Sequence, residues 1–132
     1  MKPRIHSLKI LPERLAVCRF APTAQLPDWI DESSFFSITR TEDELTVVCT
    51  EATVPPDTLS ETGWRCFKIQ GPLDFSDTGI IFSISKPLAE SGLSVFIIST
   101  FDTDYFMVKE RDLAKAVDAL TAAGHRVGSE DG

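Results

Sequence analysis

The sequence predicts an α+β fold in which antiparallel β-sheets carry helices on one face. Three observations predict it. Two segments, residues 34–48 and 94–108, each read as a strand, a polar turn and a second strand. Two further segments, about 78–91 and 110–123, have the apolar spacing of amphipathic helices and flank the second of these hairpins. The length of 132 residues is enough for one ordinary domain or for two very small units that share a core.

The first half of the chain is predicted to contain strands and little helix. SLKILP and RLAVCRF read as two strands. The segment that follows, APTAQLPDWIDESS, contains two prolines and leaves room for about one helical turn near Asp28–Ile30. After the first hairpin, Pro55 and Pro56 again permit only a short helix. A unit with so little helix cannot bury a sheet face by itself.

The second half of the chain begins with a strand and a helix. WRCFKIQ (Trp64–Gln70) is β-branched and aromatic, as is typical of a strand. A helix is predicted from about Thr78 to Ser91, because apolar residues recur along one face at a spacing of four residues. Pro87 removes one hydrogen bond and should bend the last turn, and Gly92 stops the helix. The residues on the apolar face include Ile80, Ile84 and Leu88.

A hairpin, a second helix and a last strand complete this half. The hairpin Ser94–Val108 alternates in polarity, and the helix Glu110–Ala123 has a continuous apolar face that ends before Gly124. A short strand, His125–Val127, can follow. The order is βαββαβ, the ferredoxin-like arrangement of two helices on one face of an antiparallel sheet.

The two hairpins align without a gap at a shift of sixty residues. Phe36 then matches Phe96, and Glu42 matches Asp102. This match suggests a duplicated unit, and chance similarity between two hairpins is the alternative. We therefore expect a degenerate first unit at residues 1–62 and a complete second unit at residues 63–128, fused into one compact core, with a tail at residues 129–132.

Composition excludes several classes of function. The formal net charge is −7, and no cluster of Lys and Arg offsets it, so the chain should repel nucleic acids and anionic membrane surfaces. No apolar run approaches the roughly 18 residues that cross a bilayer. The start, MKPRIHSLKILPERLAV, lacks the apolar core of a secretory signal. We expect a cytoplasmic protein.

The residues that usually carry catalysis or bind metals are scattered. Cys18, Cys49 and Cys66 each lie in an apolar run, which predicts buried structural thiols. His6 and His125 lie near opposite ends of the chain, and there is no CxxC, GxSxG, HExxH or phosphate-binding GK[ST] motif. We predict no catalytic residue, no metal site and no cofactor. Assembly of Cys66 with the distant His6 is the enzyme alternative, and it would require turnover that disappears in Cys66→Ser.

Several segments resemble a known family. FFSITRTEDELTVVC, GWRCFKIQGPLDF, TGIIFSISKPLAESGLSVFIISTFDTDYFMVK and DLAKAVDAL are similar to the small tandem ACT-domain proteins of bacteria, and also to the ACT repeats of aspartate kinase and of the CASTOR arginine sensors. The resemblance extends from about Leu8 to Val127. It implies a ferredoxin-like fold, a small effector such as an amino acid, and a homodimer. It does not imply catalysis.

The resemblance also implies where the effector binds. It would lie between the start of the first helix of one unit and a strand of a partnering unit. Mapped by motif onto this sequence, the predicted ligand-binding residues are Asp77, Thr78, Gly79, Ile80, Ser99, Thr100, Phe101 and Asp104.

The residue chemistry agrees with that placement. Free N–H groups at a helix start can bind a carboxylate, and Gly79 has no side chain to keep a ligand away from them. Asp77 and Asp104 could bind an ammonium or guanidinium through charge-assisted hydrogen bonds. The two ends together are complementary to a free amino acid.

Each of these residues also has a structural interpretation. Asp77, or Ser76 beside it, can simply cap the helix. Asp102 and Asp104 lie in or near a turn, where Asp is common for local backbone reasons. Phe101 can be a packing residue, and Ser99 and Thr100 ordinary strand residues.

Two functions therefore remain open. The first is a non-catalytic regulatory module that binds a free amino acid and passes its signal to another protein. The second is a protein-interaction or structural dimer whose effector site is vestigial and empty. The sequence identifies neither the amino acid nor the downstream protein, and it leaves open whether the first unit keeps a site.

Overall fold

The structure is a computed structural model and describes residues 5–71 and 79–129. Within these residues the chain forms a largely antiparallel β-sheet, in which the last strand pairs in parallel with the first, and two α-helices. This confirms the predicted fold class at the level of a mixed α/β protein. The α-helices are α1 (Ile80–Glu90) and α2 (Leu113–Ala122). The strands are β1 (Ser7–Phe20), β2 (Phe36–Arg40), β3 (Leu45–Thr50), β4 (Ser60–Ile69), β5 (Phe96–Ser99), β6 (Asp104–Lys109) and β7 (Arg126–Ser129).

SLKILP and RLAVCRF form one continuous strand, β1, instead of the two strands expected. Pro12 does not interrupt it. Residues Ser7–Ile10 pair with β7, and residues Leu15–Phe20 pair with β3. Pro12 lies between these two pairings, so its missing N–H removes no hydrogen bond from either ladder.

The chain divides into two compact units. One is Glu13–Trp64, and the other combines Met1–Pro12 with Arg65–Gly132. This grouping differs from the expected boundary after residue 62, because the first part of β1 pairs with β7 at the other end of the chain. The boundaries expected from the sequence stay a prediction.

In the unit Glu13–Trp64, β3 pairs antiparallel with β1 on one side and with β2 on the other. The positions where prolines exclude α-helices hold 3-10 turns, Ile30–Glu32 and Glu51–Thr53. The buried cluster of this unit contains Ala16, Cys18, Ile30, Leu45, Val47 and Cys49.

In the other unit the strands lie in the order β7, β1, β4, β6 and β5. Both helices pack on one face of these strands. The rings of Phe67 and Phe106 stack at the centre of this core with centroids 4.6 Å apart. The buried residues are Leu8, Phe67, Ile69, Ile80, Ile84, Leu88, Leu93, Phe106, Val108, Ala116 and Leu120.

Helix α1 confirms the predicted apolar face and the proline near its end. Ile84 and Leu88 are buried, and Pro87 lies inside the helix. Gly92 follows the helix with a φ of 78°, a left-handed conformation that ends it. The N–H of Gly92 donates to the Ala89 carbonyl at 2.9 Å, and the N–H of Leu93 donates to the Leu88 carbonyl at 3.0 Å.

The alternation of the strands defines two sheet faces in this unit. Phe67 and Ile69 of β4 pack against the helices. Because successive side chains of a strand point to opposite faces, Lys68 and Gln70 point away from the helices. By the same argument Tyr105 of β6 points away from them, since its neighbour Phe106 lies in the core. We call the side of the sheet that packs against the helices the helix face, and the opposite side, with Lys68 and Tyr105, the outer face.

Candidate functional site

The start of α1 carries part of the predicted site. Gly79 occupies the N-cap position with φ 78° and ψ 3°. Among the described residues, nothing lies within 4 Å of the position that a Cβ would occupy there, so no neighbouring side chain crowds Gly79. Ile80 is 6% exposed and its side chain belongs to the core. Only its backbone N–H remains as a ligand contact. The predicted residues Asp77 and Thr78 lie outside the described residues.

The turn between β5 and β6 carries the other predicted residues. Ser99 pairs with Asp104 at the end of the ladder. The N–H of Thr100 donates to the Thr103 carbonyl at 2.8 Å, and the Thr100 hydroxyl donates to the same carbonyl at 2.9 Å. Phe101, at the tip, is 78% exposed. The structure therefore brings these four predicted residues, Ser99, Thr100, Phe101 and Asp104, to a single turn.

Ser99 and Asp104 lie on the helix face. Ile97 pairs with Phe106, and both pack in the core with the helices. Ser99 lies two residues after Ile97 in β5, and Asp104 lies two residues before Phe106 in β6. Because every second side chain of a strand points to the same face, Ser99 and Asp104 share the face of Ile97 and Phe106. This is the same side of the sheet as α1.

A cleft on the outer face was not predicted from the sequence. It has a volume of about 490 Å³ and is lined by side chains of β4, β6 and the turn between β5 and β6, together with Gly71. Thr100 is the predicted residue that lines it. The other lining side chains are Lys68, Gln70, Asp102, Thr103 and Tyr105.

A sequence signal for this cleft existed. In WRCFKIQ the polar residues Lys68 and Gln70 alternate with the apolar Phe67 and Ile69, which predicts a polar outer face at the end of the strand. The strand that brings Tyr105 beside them could not be identified in the same way.

The cleft contains two opposite charges. Within residues 5–71 and 79–129, neither Lys68 nor Asp102 takes part in an ion pair or a side-chain hydrogen bond. By contrast, Lys86 pairs with Glu90 on the surface of α1 at 3.4 Å. The charges in the cleft are therefore available to a ligand.

The cysteines lie away from this chemistry. All three are buried thiols outside any disulfide, as predicted. A hydrogen bond that the Cys18 thiol donates to the Cys49 sulfur raises the pKa of Cys18, as does burial, and the same hydrogen bond lowers the pKa of Cys49. Because both side chains are 0% exposed, no substrate can reach either sulfur in the folded protein. Among the described residues, no group of three or more His, Cys, Asp and Glu side chains could hold a metal ion.

The described part of the chain also lacks a helix of the length and apolarity that crosses a membrane.

Comparison with known proteins places this fold in a family. A family model described as an ACT domain matches residues 59–122, and a second model, of an N-terminal domain, matches residues 13–57. The rat protein named cytosolic arginine sensor for mTORC1 subunit 1 is 33% identical over 105 residues, which is 74% of this chain and 32% of the relative. The chain thus spans about a third of the length of this relative.

Two solved structures are similar over nearly the whole chain. A crystal structure of an Agobacterium tumefaciens protein shares 42% identity with a TM-score of 0.90, and covers 96% of this chain and 95% of that one. The regulatory subunit of aspartate kinase from Thermus thermophilus shares 9% identity with a TM-score of 0.63, and covers 92% of this chain and 99% of that one. At 9% identity the second similarity shows the fold alone.

These findings define a mixed α/β protein of the ferredoxin-like class. The model match assigns residues 59–122 to the ACT-domain family, as the motifs of this segment predicted. The curated relative is named as a sensor, which agrees with the prediction of a non-catalytic protein.

Proposed function

We propose that the protein is a non-catalytic regulatory module that binds a free amino acid where one ACT unit meets another. The chain would contain two ferredoxin-like units of βαββαβ order, the first with reduced helices. The observation that carries the proposal is the ACT match over residues 59–122, since this range contains both the open start of α1 and the turn that ends at Asp104.

The geometry of the unit supports an amino acid as the ligand. As in any α-helix, the first N–H groups of α1 have no partner within the helix and can bind a carboxylate, and the positive end of the helix dipole favours an anion there. Asp104 lies on the same side of the sheet as α1 and supplies a negative charge for an ammonium or guanidinium. Asp77, Thr78, Ile80, Ser99, Thr100 and Phe101 complete the proposed contacts.

Arginine is the first amino acid to test. The curated relative is named as an arginine sensor. A guanidinium offers a planar fork of donors that matches a carboxylate, so it suits a site in which Asp104 binds the cationic group.

The proposed setting is a cytoplasmic homodimer. The ligand favours one arrangement of two units, and a downstream protein detects that arrangement.

A thermal-shift screen of the purified protein against the twenty amino acids tests this function. We expect one of them to raise Tm saturably, because a ligand at 100 times its Kd adds about 2.7 kcal/mol to the free energy of unfolding. The shift should disappear in Asp104→Ala. Glu42→Ala, which removes the exposed carboxylate of the first hairpin that aligns with Asp102, is the matched control and should keep it.

The second function, a structural dimer with an empty site, predicts a different result. No amino acid would then change Tm, while light scattering would still find a dimer. A monomer at tens of micromolar protein would contradict both functions.

A further inference from the structure

We infer that the cleft on the outer face is a second ligand site, which takes a small zwitterion with its anionic group on Lys68 and its cationic group on Asp102. Nothing in the family match assigns a ligand to these residues. The inference does not depend on the proposed function, because Asp104 and the start of α1 lie on the helix face.

The floor of the cleft consists of neighbouring strands. Lys68 comes from β4, Gln70 directly follows the last residue of β4, and Tyr105 comes from β6, which lies next to β4 in the sheet. Phe67, which precedes Lys68 in the chain, and Phe106, which follows Tyr105, are 0% and 1% exposed and stack in the core. The packed core therefore holds the backbone that presents the cleft residues.

The wall of the cleft is braced. The hydroxyl of Thr103, a residue that is 6% exposed, donates to the carbonyl of Ile69 at 2.6 Å and ties the turn to β4. The bonds from Thr100 to the Thr103 carbonyl close the turn. Asp102 is thus carried by a turn that is already ordered, and a ligand does not have to order it on binding.

The charge pattern identifies the class of ligand. Lys68 and Asp102 line the same cleft but form no ion pair with each other or with another described residue. A simple anion would be attracted by Lys68 and repelled by Asp102. A simple cation would be attracted by Asp102 and repelled by Lys68. A molecule with both charges satisfies both side chains.

The uncharged lining fits the same ligand. Gln70 offers an amide that can donate or accept, and the ring of Tyr105 offers an apolar surface for methylene groups between the two charges. The volume of about 490 Å³ lies within the range of small-molecule sites. The ligand must be long enough to span the gap that keeps Lys68 and Asp102 apart.

A length series of ω-amino acids tests the inference. Glycine, β-alanine, 4-aminobutanoate and 5-aminopentanoate are titrated into the full chain by calorimetry, and each is compared with the carboxylate and the amine of the same chain length. We expect one zwitterion to bind about tenfold or more tightly than both of its singly charged analogues, since each analogue lacks one of the two charge-assisted contacts.

Variants assign the binding to the cleft. Lys68→Met and Asp102→Asn should each weaken the binding of the best zwitterion about tenfold or more. The zwitterion should then bind no more tightly than the amine in Lys68→Met, and no more tightly than the carboxylate in Asp102→Asn. Because neither side chain forms an ion pair or side-chain hydrogen bond with the residues that the structure describes, both variants should keep the Tm of the unliganded protein. Asp104→Ala should bind the zwitterion unchanged.

The inference is overturned if no ω-amino acid binds, if the singly charged analogues bind as tightly, or if Lys68→Met and Asp102→Asn bind unchanged. The proposed function has a separate readout. If an α-amino acid binds, and this binding is lost in Asp104→Ala and kept in Lys68→Met, the proposed function is supported even when the cleft binds no zwitterion.

Discussion

The imidazole of His125 accepts the backbone N–H of His6 through Nδ1 at 3.0 Å, although the two residues lie at opposite ends of the chain. Their rings stack with centroids 5.8 Å apart. The other ring nitrogen, Nε2, lies 2.9 Å from the carbonyl oxygen of Ser83 in α1 and donates to it. A neutral imidazole thus joins the beginning of the chain, helix α1 and the segment that precedes β7.

Replacing His125 should destabilise the fold. His125→Leu leaves the His6 N–H and the Ser83 carbonyl without this partner, and His125 is 3% exposed, so water cannot replace it easily. We expect a loss of about 1–3 kcal/mol in the free energy of unfolding, measured in urea. Arg126→Ala, an exposed neighbour, is the control and should change it by less than about 0.5 kcal/mol. Equal stabilities of the two variants would contradict the role of His125.

Gly92→Ala should also destabilise the protein, for a reason that lies in the backbone. The φ of Gly92 is 78°, and nothing lies within 4 Å of a Cβ at this position, so the effect is backbone strain without a clash. We expect a loss of about 1–2 kcal/mol, visible as a lower Tm. Gly128→Ala is the matched control, because that glycine has equal space and no left-handed φ. The strain argument is wrong if both substitutions have the same effect.

Thr103→Val should loosen the turn between β5 and β6. The substitution keeps the shape of the side chain and removes the donor to the Ile69 carbonyl, a bond of 2.6 Å at a buried position. We expect a loss of about 1–3 kcal/mol. Thr103→Ser keeps the hydroxyl and should retain most of the stability, which separates the hydrogen bond from the methyl group. Hydrogen exchange of the Thr100 amide should quicken in the valine variant only.

The three cysteines should resist thiol reagents in the native protein. Each is 0% exposed. The hydrogen bond that Cys18 donates to Cys49, together with burial, raises the pKa of Cys18, so its thiolate is disfavoured near neutral pH. Burial shields Cys49 from reagents despite its lowered pKa. Labelling with an aromatic disulfide should be slow in buffer and complete in guanidinium. Rapid native labelling of one thiol would show that the structure opens there.

Much of the local structure was predictable because it depends on neighbours in sequence. The spacing of Ile80, Ile84 and Leu88 predicted the buried face of α1, and Gly92 predicted its end. The prolines of the first half predicted short turns in place of long helices, and 3-10 turns are found there. Periodicity and backbone restriction act over a few residues, so a single sequence displays them.

Part of the candidate site was predictable from motifs. The segment ISTFDTDY predicted the hairpin whose turn carries Ser99, Thr100, Phe101 and Asp104, and the binding role of these residues stays a prediction. The sequence did not predict that Lys68 and Asp102 line the same cleft, because this depends on which strands are neighbours in the sheet. Sequence spacing carries no direct record of strand order.

The sequence by itself determined the elements, the buried thiols and the family, since propensity, apolar pattern and motif are properties of short segments. Only the tertiary structure decided that β1 runs unbroken through Pro12, that His6 meets His125, and that Lys68 and Asp102 share a cleft. Each of these depends on strand pairing between residues far apart in the chain. Such pairing is selected by the packing of the whole core, and no local segment specifies it alone.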